Sequence, residues 1–350
     1  MDLTQLPSPA LVVDLAAADR NIARAAAHFA DGPVRLRPHF KAHKCTRLLR
    51  RQVDAGACSG VTCATAWEAE VLAEAGFDDV LVANEVADAQ GLAALGRAAS
   101  RARITVCVDS SRHVELLSAV GARVGVLVEI DIGQGRCGLE PGSDEVIKLA
   151  WRVADAPGLE LRGLQGYHGH AVLLESRDDR EREVARGAAL LTAERERLIA
   201  AGLPCPLVSG GGTGTFDLIA AAGGLDEVQA GSYVLMDASY GKLDLPFEQA
   251  LFCLATVVSR RGTRLVLDAG LKAMSAEYGM PGAKEPGLEV LSLADEHATA
   301  RVPADCGLRV GDTTLLIPAH IDPTVNLHAA LHVSASAGSF EPWAVDGRTR

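Results

Sequence analysis

The chain has 350 residues, about twice the size of an ordinary domain, which excludes a small single-site module and leaves two domains or a barrel with an appendage. Apolar residues make up 48% and charged residues 23%, the balance of a globular protein with a large core rather than a disordered one. With 34 basic against 45 acidic residues and a net charge of -11, it repels nucleic acid and anionic membranes, so any phosphate it binds must be met by local donors.

Only Lys41, Lys44, Lys148, Lys242, Lys272 and Lys284 are lysines; the other basic residues are arginine. Lysine and arginine are interchangeable on a solvated surface but not in chemistry, so each lysine is easier to weigh. The eight cysteines form no CxxC pair and mostly sit in apolar runs such as Val106-Cys107-Val108; they read as reduced thiols of a cytoplasmic protein. The first residues carry neither a basic nor a long apolar region, and no apolar run of about 18 residues occurs, so neither export nor membrane insertion is expected.

In chain order, Ala10 to Leu15 is strand-like, and Asp14 or Asp19 is placed to cap a helix through Arg24 to Phe29. Eight short β-like runs follow: Val34 to Arg37, Gly60 to Cys63, Asp79 to Ala83, Ile104 to Val108, Val124 to Ile130, Leu159 to Gly166, Pro206 to Ser209 and Glu227 to Ala230. Helical patterns separate them, for example Ala64 to Ala75 and Arg180 to Ala201. Eight strands alternating with helices predict a (β/α)8 barrel; no GxGxxG opens the first turn, which disfavours a doubly wound open sheet. Beyond about residue 245 the runs Leu251 to Val258, Arg264 to Asp268, Leu288 to Leu291, Thr313 to Ile317 and Ala329 to Val333 come without long helices between them. The expected division is a barrel over 1–245, its first few residues free to join the other domain, and an antiparallel β-domain over 246–350.

Active sites of such barrels lie at the C-terminal ends of the strands. The first strand ends in Arg37-Pro38-His39-Phe40-Lys41-Ala42-His43-Lys44; a partly desolvated lysine here suits Schiff-base chemistry, with Lys44 expected on the following helix. The seventh strand runs into Ser209-Gly210-Gly211-Gly212-Thr213-Gly214-Thr215 and the eighth into Gly231-Ser232-Tyr233, where backbone N–H groups and hydroxyls can gather around a phosphate. A lysine opposite a phosphate cradle suggests pyridoxal phosphate. Arg136, between glycines after the fifth strand, could reach the cofactor ring, and Gly166-Tyr167-His168-Gly169-His170 after the sixth places a histidine suited to proton transfer. In Ile317 to His328, His320 and Asp322 read as lying two apart on an extended segment, pointing the same way, a pair suited to a weakly held divalent cation.

Taken together these motifs, with Gln229-Ala230-Gly231-Ser232-Tyr233 and Pro318 to Asn326, resemble the low-specificity D-threonine aldolase and D-serine dehydratase-like family, pyridoxal phosphate enzymes with the alanine racemase type of barrel. The likeness spans nearly the whole chain. It implies that Lys41 binds the cofactor covalently, that Gly214, Thr215, Gly231 and Ser232 hold its phosphate with Ser209 and Tyr233 nearby, and that Arg136 and Tyr167 also line the cofactor. It further implies that His320 and Asp322 bind a divalent metal, most often manganese, with magnesium or zinc as alternatives, and that His168 is the catalytic base. Family aldolases carry Asp two residues after the metal histidine where dehydratases typically carry Cys, and Asp322 therefore favours aldol cleavage of a D-3-hydroxy amino acid to glycine and an aldehyde. Ala42, in place of the small hydroxyl residue often found after the lysine, and the extra His170 are departures. The competing readings are a D-serine or D-3-hydroxyaspartate dehydratase and a non-catalytic pyridoxal phosphate carrier; the resemblance also implies a homodimer.

Overall fold

The computed structural model describes residues 3–334 and 338–348. The chain divides into two compact units: Ala25–Lys41 with Leu49–Gly231, and Met1–Arg24 with Ala42–Leu48 and Ser232–Arg350. It opens with strand β1 (Ala10–Val13) and helix α1 (Leu15–Ala30).

The first-named unit is a barrel. Its strands are β2 (Arg35–Leu36), β3 (Val61–Cys63), β4 (Asp79–Val82), β5 (Arg103–Val108), β6 (Val124–Glu129), β7 (Leu159–Gly166), β8 (Leu207–Gly210) and β9 (Glu227–Val228). All pair in parallel, in the order β2-β9-β8-β7-β6-β5-β4-β3. Parallel bridges Leu36↔Cys58 and His39↔Thr62 join the two ends of that order and close the ring. Stretches such as Val80-Leu81-Val82 in β4 and Val124 to Val128 in β6 are continuously apolar because both faces are covered, the inner by the barrel core and the outer by helices.

Those helices are α2 (Thr46–Asp54), α3 (Ala66–Glu74), α4 (Ala89–Ala99), α5 (Ser111–Ser118), α6 (Asp144–Asp155), α7 (Arg177–Ala200) and α8 (Phe216–Ala222). Thr65, Asp88, Ser110, Ser143 and Ser176 cap five of them, each side chain accepting a backbone N–H of the first turn. Lys44 is not on a helix as expected: it has φ 49°, and α2 begins only at Thr46. The left-handed turn interrupts the helical path there.

The barrel interior carries three kinds of contact. Arg37, 3% exposed at its side chain, pairs with Glu227 at 2.7 Å and Asp79 at 3.1 Å. Leu81, Cys107 and Leu127 form an apolar layer. Glu129, Gln165, Gln229 and Ser209 make a hydrogen-bonded file across β6 to β9: the Gln165 amide donates to Glu129 at 2.5 Å, and the Gln229 amide donates to Gln165 at 2.7 Å and to Ser209 at 2.8 Å.

The second-named unit is a largely antiparallel sheet of β10 (Leu251–Arg261), β11 (Arg264–Leu267), β12 (Gly282–Ala283), β13 (Glu289–Leu293), β14 (Ala298–Arg301), β15 (Thr313–Ile317), β16 (Ala330–Ser334) and β17 (Phe340–Ala344), with helix α9 (Ile321–Asn326). β1 belongs to this sheet, antiparallel to β10 and parallel to β16. The fold is thus the expected (β/α)8 barrel with an antiparallel β-domain. β12, β14 and β17 had no counterpart in the sequence pattern; Ala298-Thr299-Ala300-Arg301 is too alanine-rich to announce a strand and is held by pairing on both sides with β11 and β13.

Candidate active site

At the C-terminal end of β2 the chain leaves the barrel through a 3₁₀ turn, Phe40–Ala42. His39 stays in register with its neighbour, its N–H bonding to the Ala230 carbonyl at 3.0 Å, so Lys41 starts from a fixed strand end. Lys41 is partly buried, between a buried Phe40 and a buried Ala42. Lys41 is thus half-buried where the chain leaves the first barrel strand, and a partly desolvated amine is what Schiff-base chemistry requires.

Around the ring, Ser209 lies at the end of β8, fully buried and bonded to Gln229. The glycine run beyond it forms a second 3₁₀ turn, Thr213–Thr215, leading into α8. A Cβ on Gly214 would run into the carbonyl of Val172, and one on Gly212 would lie 3.1 Å from Val172 Cγ1 and 3.8 Å from Tyr167 Cε2. Only glycine lets the backbone come this close to its neighbours. The Thr215 hydroxyl accepts the Gly212 N–H at 3.2 Å, so it fixes the turn itself, and what the turn has to offer a phosphate is chiefly backbone. Gly231 is buried at the end of the eighth strand region. On the adjoining strand end, the Arg136 guanidinium sits 5.5 Å over the Tyr167 ring.

His168 is placed differently from its expected role as base. Successive residues leaving β7 alternate sides, so Tyr167 meets Arg136 and the glycine run while His168 turns outward beneath α7. A Cβ on Gly187 would sit 2.5 Å from His168 Nε2, and both ring nitrogens are buried without a hydrogen bond. Burial, reinforced by His170, brings its pKa down to about 4. His170 hydrogen-bonds Glu183 at 3.1 Å and lies beside Arg186.

Two polar groups were not singled out from sequence. Burial, with Glu85 adding repulsion, pushes Glu129 up to about 8, so the file beneath the mouth is capped by a neutral carboxylic acid at neutral pH. Glu85, Asp109 and Cys137 form, among the described residues, the one set of three or more metal-ligating side chains close enough to share an ion. The signal for the first was a polar residue ending an otherwise apolar strand.

In the β-domain, Ser232 and Tyr233 follow β9 in a buried 3₁₀ turn. His320 and Asp322 are not on an extended segment: His320 is the N-cap of α9 and Asp322 is in its first turn. Pro323 permits this because the N–H it lacks is among those a first helical turn leaves unpaired anyway. The pair still converges, with His320 Nε2 and Asp322 Oδ1 3.8 Å apart and both side chains 14% exposed. Two bonds of about 2.1 Å can span that gap, and imidazole with carboxylate is a fitting donor set for a divalent ion. Buried Asp237 holds this helix in place, accepting the Ile321 N–H at 3.1 Å and the Tyr240 N–H at 2.8 Å; burial raises its pKa to about 6.

A closed parallel barrel with a lysine at its first strand end and a glycine turn after its seventh strand, in a chain that also carries a β-sheet unit, defines a class of lysine-bearing barrel proteins. Residues 13–239 match the family "Alanine racemase, N-terminal domain" and residues 250–334 match "Putative serine dehydratase domain". The chain is 41% identical to a D-threonine aldolase of Arthrobacter sp, covering 99% of this chain and 94% of that protein. It is 30% identical to a D-threo-3-hydroxyaspartate dehydratase of Delftia sp., covering 97% of each. The solved structure of a D-threonine aldolase from Filomicrobium marinum superposes with a TM-score of 0.95 at 39% identity, covering 99% and 97% of the two chains. The chain belongs to this alanine racemase-type barrel family, on the branch that holds the D-threonine aldolases.

Proposed function

We propose that the chain is a pyridoxal phosphate- and divalent-metal-dependent aldolase that cleaves D-threonine or a related D-3-hydroxy amino acid to glycine and an aldehyde. The observation that carries the choice of aldol cleavage is the His320–Asp322 pair, a carboxylate and an imidazole 3.8 Å apart, in a chain 41% identical to a D-threonine aldolase. Bound pyridoxal phosphate supplies an electron sink for the pair released at the substrate's α carbon.

The protein's part is positioning and proton handling. Lys41 is the covalent anchor and the amine able to return a proton to the α carbon. In the barrel, Gly214, Thr215 and Gly231 are the phosphate-holding residues, with Ser209 below; in the following segment the same role falls to Ser232, with Tyr233 beside it. Arg136 and Tyr167, already in contact, line the ring. His320 and Asp322 hold the metal, for which manganese is proposed; such an ion lowers the pKa of a hydroxyl. The outward, buried place of His168 gives it a packing role in this reading rather than that of base. The reading includes a homodimer and, from eight free cysteines, a reducing cytoplasm; among the described residues no helix is long and apolar enough to cross a membrane.

A product assay on D-threonine and D-serine, with and without added manganese, tests this. Glycine plus an aldehyde supports the reading; a keto acid plus ammonia makes the chain a dehydratase, and no turnover of these two or of D-3-hydroxyaspartate favours a carrier. Lys41→Ala should abolish the visible absorbance of the bound cofactor, and a retained band would remove Lys41 from its role.

A further inference from the structure

His320 is held on the side away from Asp322 by a segment to which the function above gives no part. Glu277 Oε2 lies 2.8 Å from His320 Nδ1, and the Tyr278 ring stacks on the imidazole with centroids 4.4 Å apart and planes at 26°. These contacts are built into the fold by a chain of hydrogen bonds. The Thr324 hydroxyl, on α9, donates to the His320 carbonyl at 2.7 Å and accepts the Ser275 N–H at 3.1 Å. The Ser275 hydroxyl in turn accepts the Glu277 N–H at 3.2 Å. The helix that presents His320 and Asp322 therefore also docks the loop that presents Glu277 and Tyr278.

We propose that Glu277 is a positioning residue for metal binding: it accepts the Nδ1 proton of His320, fixes the tautomer in which Nε2 carries the free lone pair toward Asp322, and with Tyr278 locks the ring plane. The inference rests on the assignment of His320 and Asp322 as metal ligands. Its physical basis is that an imidazole can present only one neutral nitrogen to a metal, and the partner of the other nitrogen decides which. Glu277 is not itself a ligand in this arrangement, because its carboxylate engages Nδ1, on the opposite edge of the ring from Nε2. Glu277 is a more open residue than the ligands, with its side chain 54% exposed against 14% for His320. Its effect is thus on tautomer and ring orientation, and it leaves the packing of α9 to Thr324 and Asp237.

The test uses the metal-stripped full-length chain, titrated with manganese chloride and followed by the electron paramagnetic resonance of free manganese, with His320 ring nitrogens read by NMR in the metal-free protein. Glu277→Ala should weaken manganese binding by about 10- to 100-fold, the usual cost of losing such a partner, and should shift the metal-free His320 ring toward a mixture of tautomers. Glu277→Gln, which keeps an acceptor oxygen but loses the charge, should fall between Glu277→Ala and the unaltered chain. His320→Ala separates the two levels of argument. If His320→Ala binds manganese as the unaltered chain does, the metal-site reading fails. If His320→Ala loses binding while Glu277→Ala binds normally with an unchanged tautomer, the positioning role is overturned and the site stands. A Glu277→Ala chain that binds weakly but shows the same tautomer would also overturn it, since a purely structural or ligating role would give that result.

Discussion

Replacing Arg37 by Met is the sharpest test of how the barrel is held together. The substitution keeps most of the side chain's length and removes a guanidinium that bonds Glu227 at 2.7 Å, Asp79 at 3.1 Å and the Val61 carbonyl at 3.2 Å. Asp79 would keep a partner, since Arg103 lies 2.8 Å from its other oxygen. Glu227 would not: its side chain is 1% exposed, and only the Ser59 hydroxyl, 2.7 Å away, would remain. One buried carboxylate is therefore left without a counter-charge, and breaking such a pair costs about 3–5 kcal/mol, a shift of roughly two to three and a half decades in the folding equilibrium. Urea unfolding followed by far-ultraviolet circular dichroism and by tryptophan fluorescence, to which Trp67 and Trp151 of the barrel contribute, measures it. Arg37→Met with Glu227→Gln should recover most of the loss, because the orphaned charge is gone. An Arg37→Met chain within about 1 kcal/mol of the unaltered protein, or a double variant no better than the single one, would refute the reasoning.

Two further substitutions probe buried titrating groups. Glu129 has a folded pKa of about 8 against an ordinary 4.5, so its contribution is fully present at low pH and is lost as pH rises through that window. Glu129→Gln should flatten the decline of stability between those values, and an unchanged pH profile in thermal melts would contradict it. His168 runs the other way: with its pKa depressed to about 4 from 6.5, stability is present above 6.5 and lost as pH falls toward 4. His168→Phe should resist acid better and keep its steady-state rate; loss of most activity with the fold intact would restore the histidine to the chemistry.

The barrel was legible because strands buried on both faces are largely apolar, and the run Val124 to Val128 obeys that rule. Lys41 and the glycine run drew notice because each follows the end of a barrel strand, whereas the His320–Asp322 pair was noticed from an extended spacing that it does not have and took its expected role from the family resemblance. The rest depended on three-dimensional facts that one-dimensional periods do not carry. Pattern alone did not separate Tyr167 from His168, since which of two adjacent residues faces the mouth depends on the register of β7 against β6 and β8. The helical path of α9 was hidden by Pro323, which reads as a breaker unless it falls in the first turn. Glu277 and Tyr278 lie in an irregular loop with no period, and only the bonds through Ser275 and Thr324 bring them to His320.

β1 has one more consequence. Leu11, Val12 and Val13 are bonded on one side to β10 and on the other to β16, so a strand that precedes all the barrel strands in the chain is an interior member of a sheet whose other strands follow them. On the ribosome, its two edges must wait for some 240 residues before the first partner is synthesised and for more than 300 before the second. The β-sheet can thus be completed only after the barrel strands have been made, and a fragment beginning at β10 would expose two unsatisfied edges where β1 belongs. Moving residues 3–14 to the far end of the chain by circular permutation would turn this delayed closure into a local one.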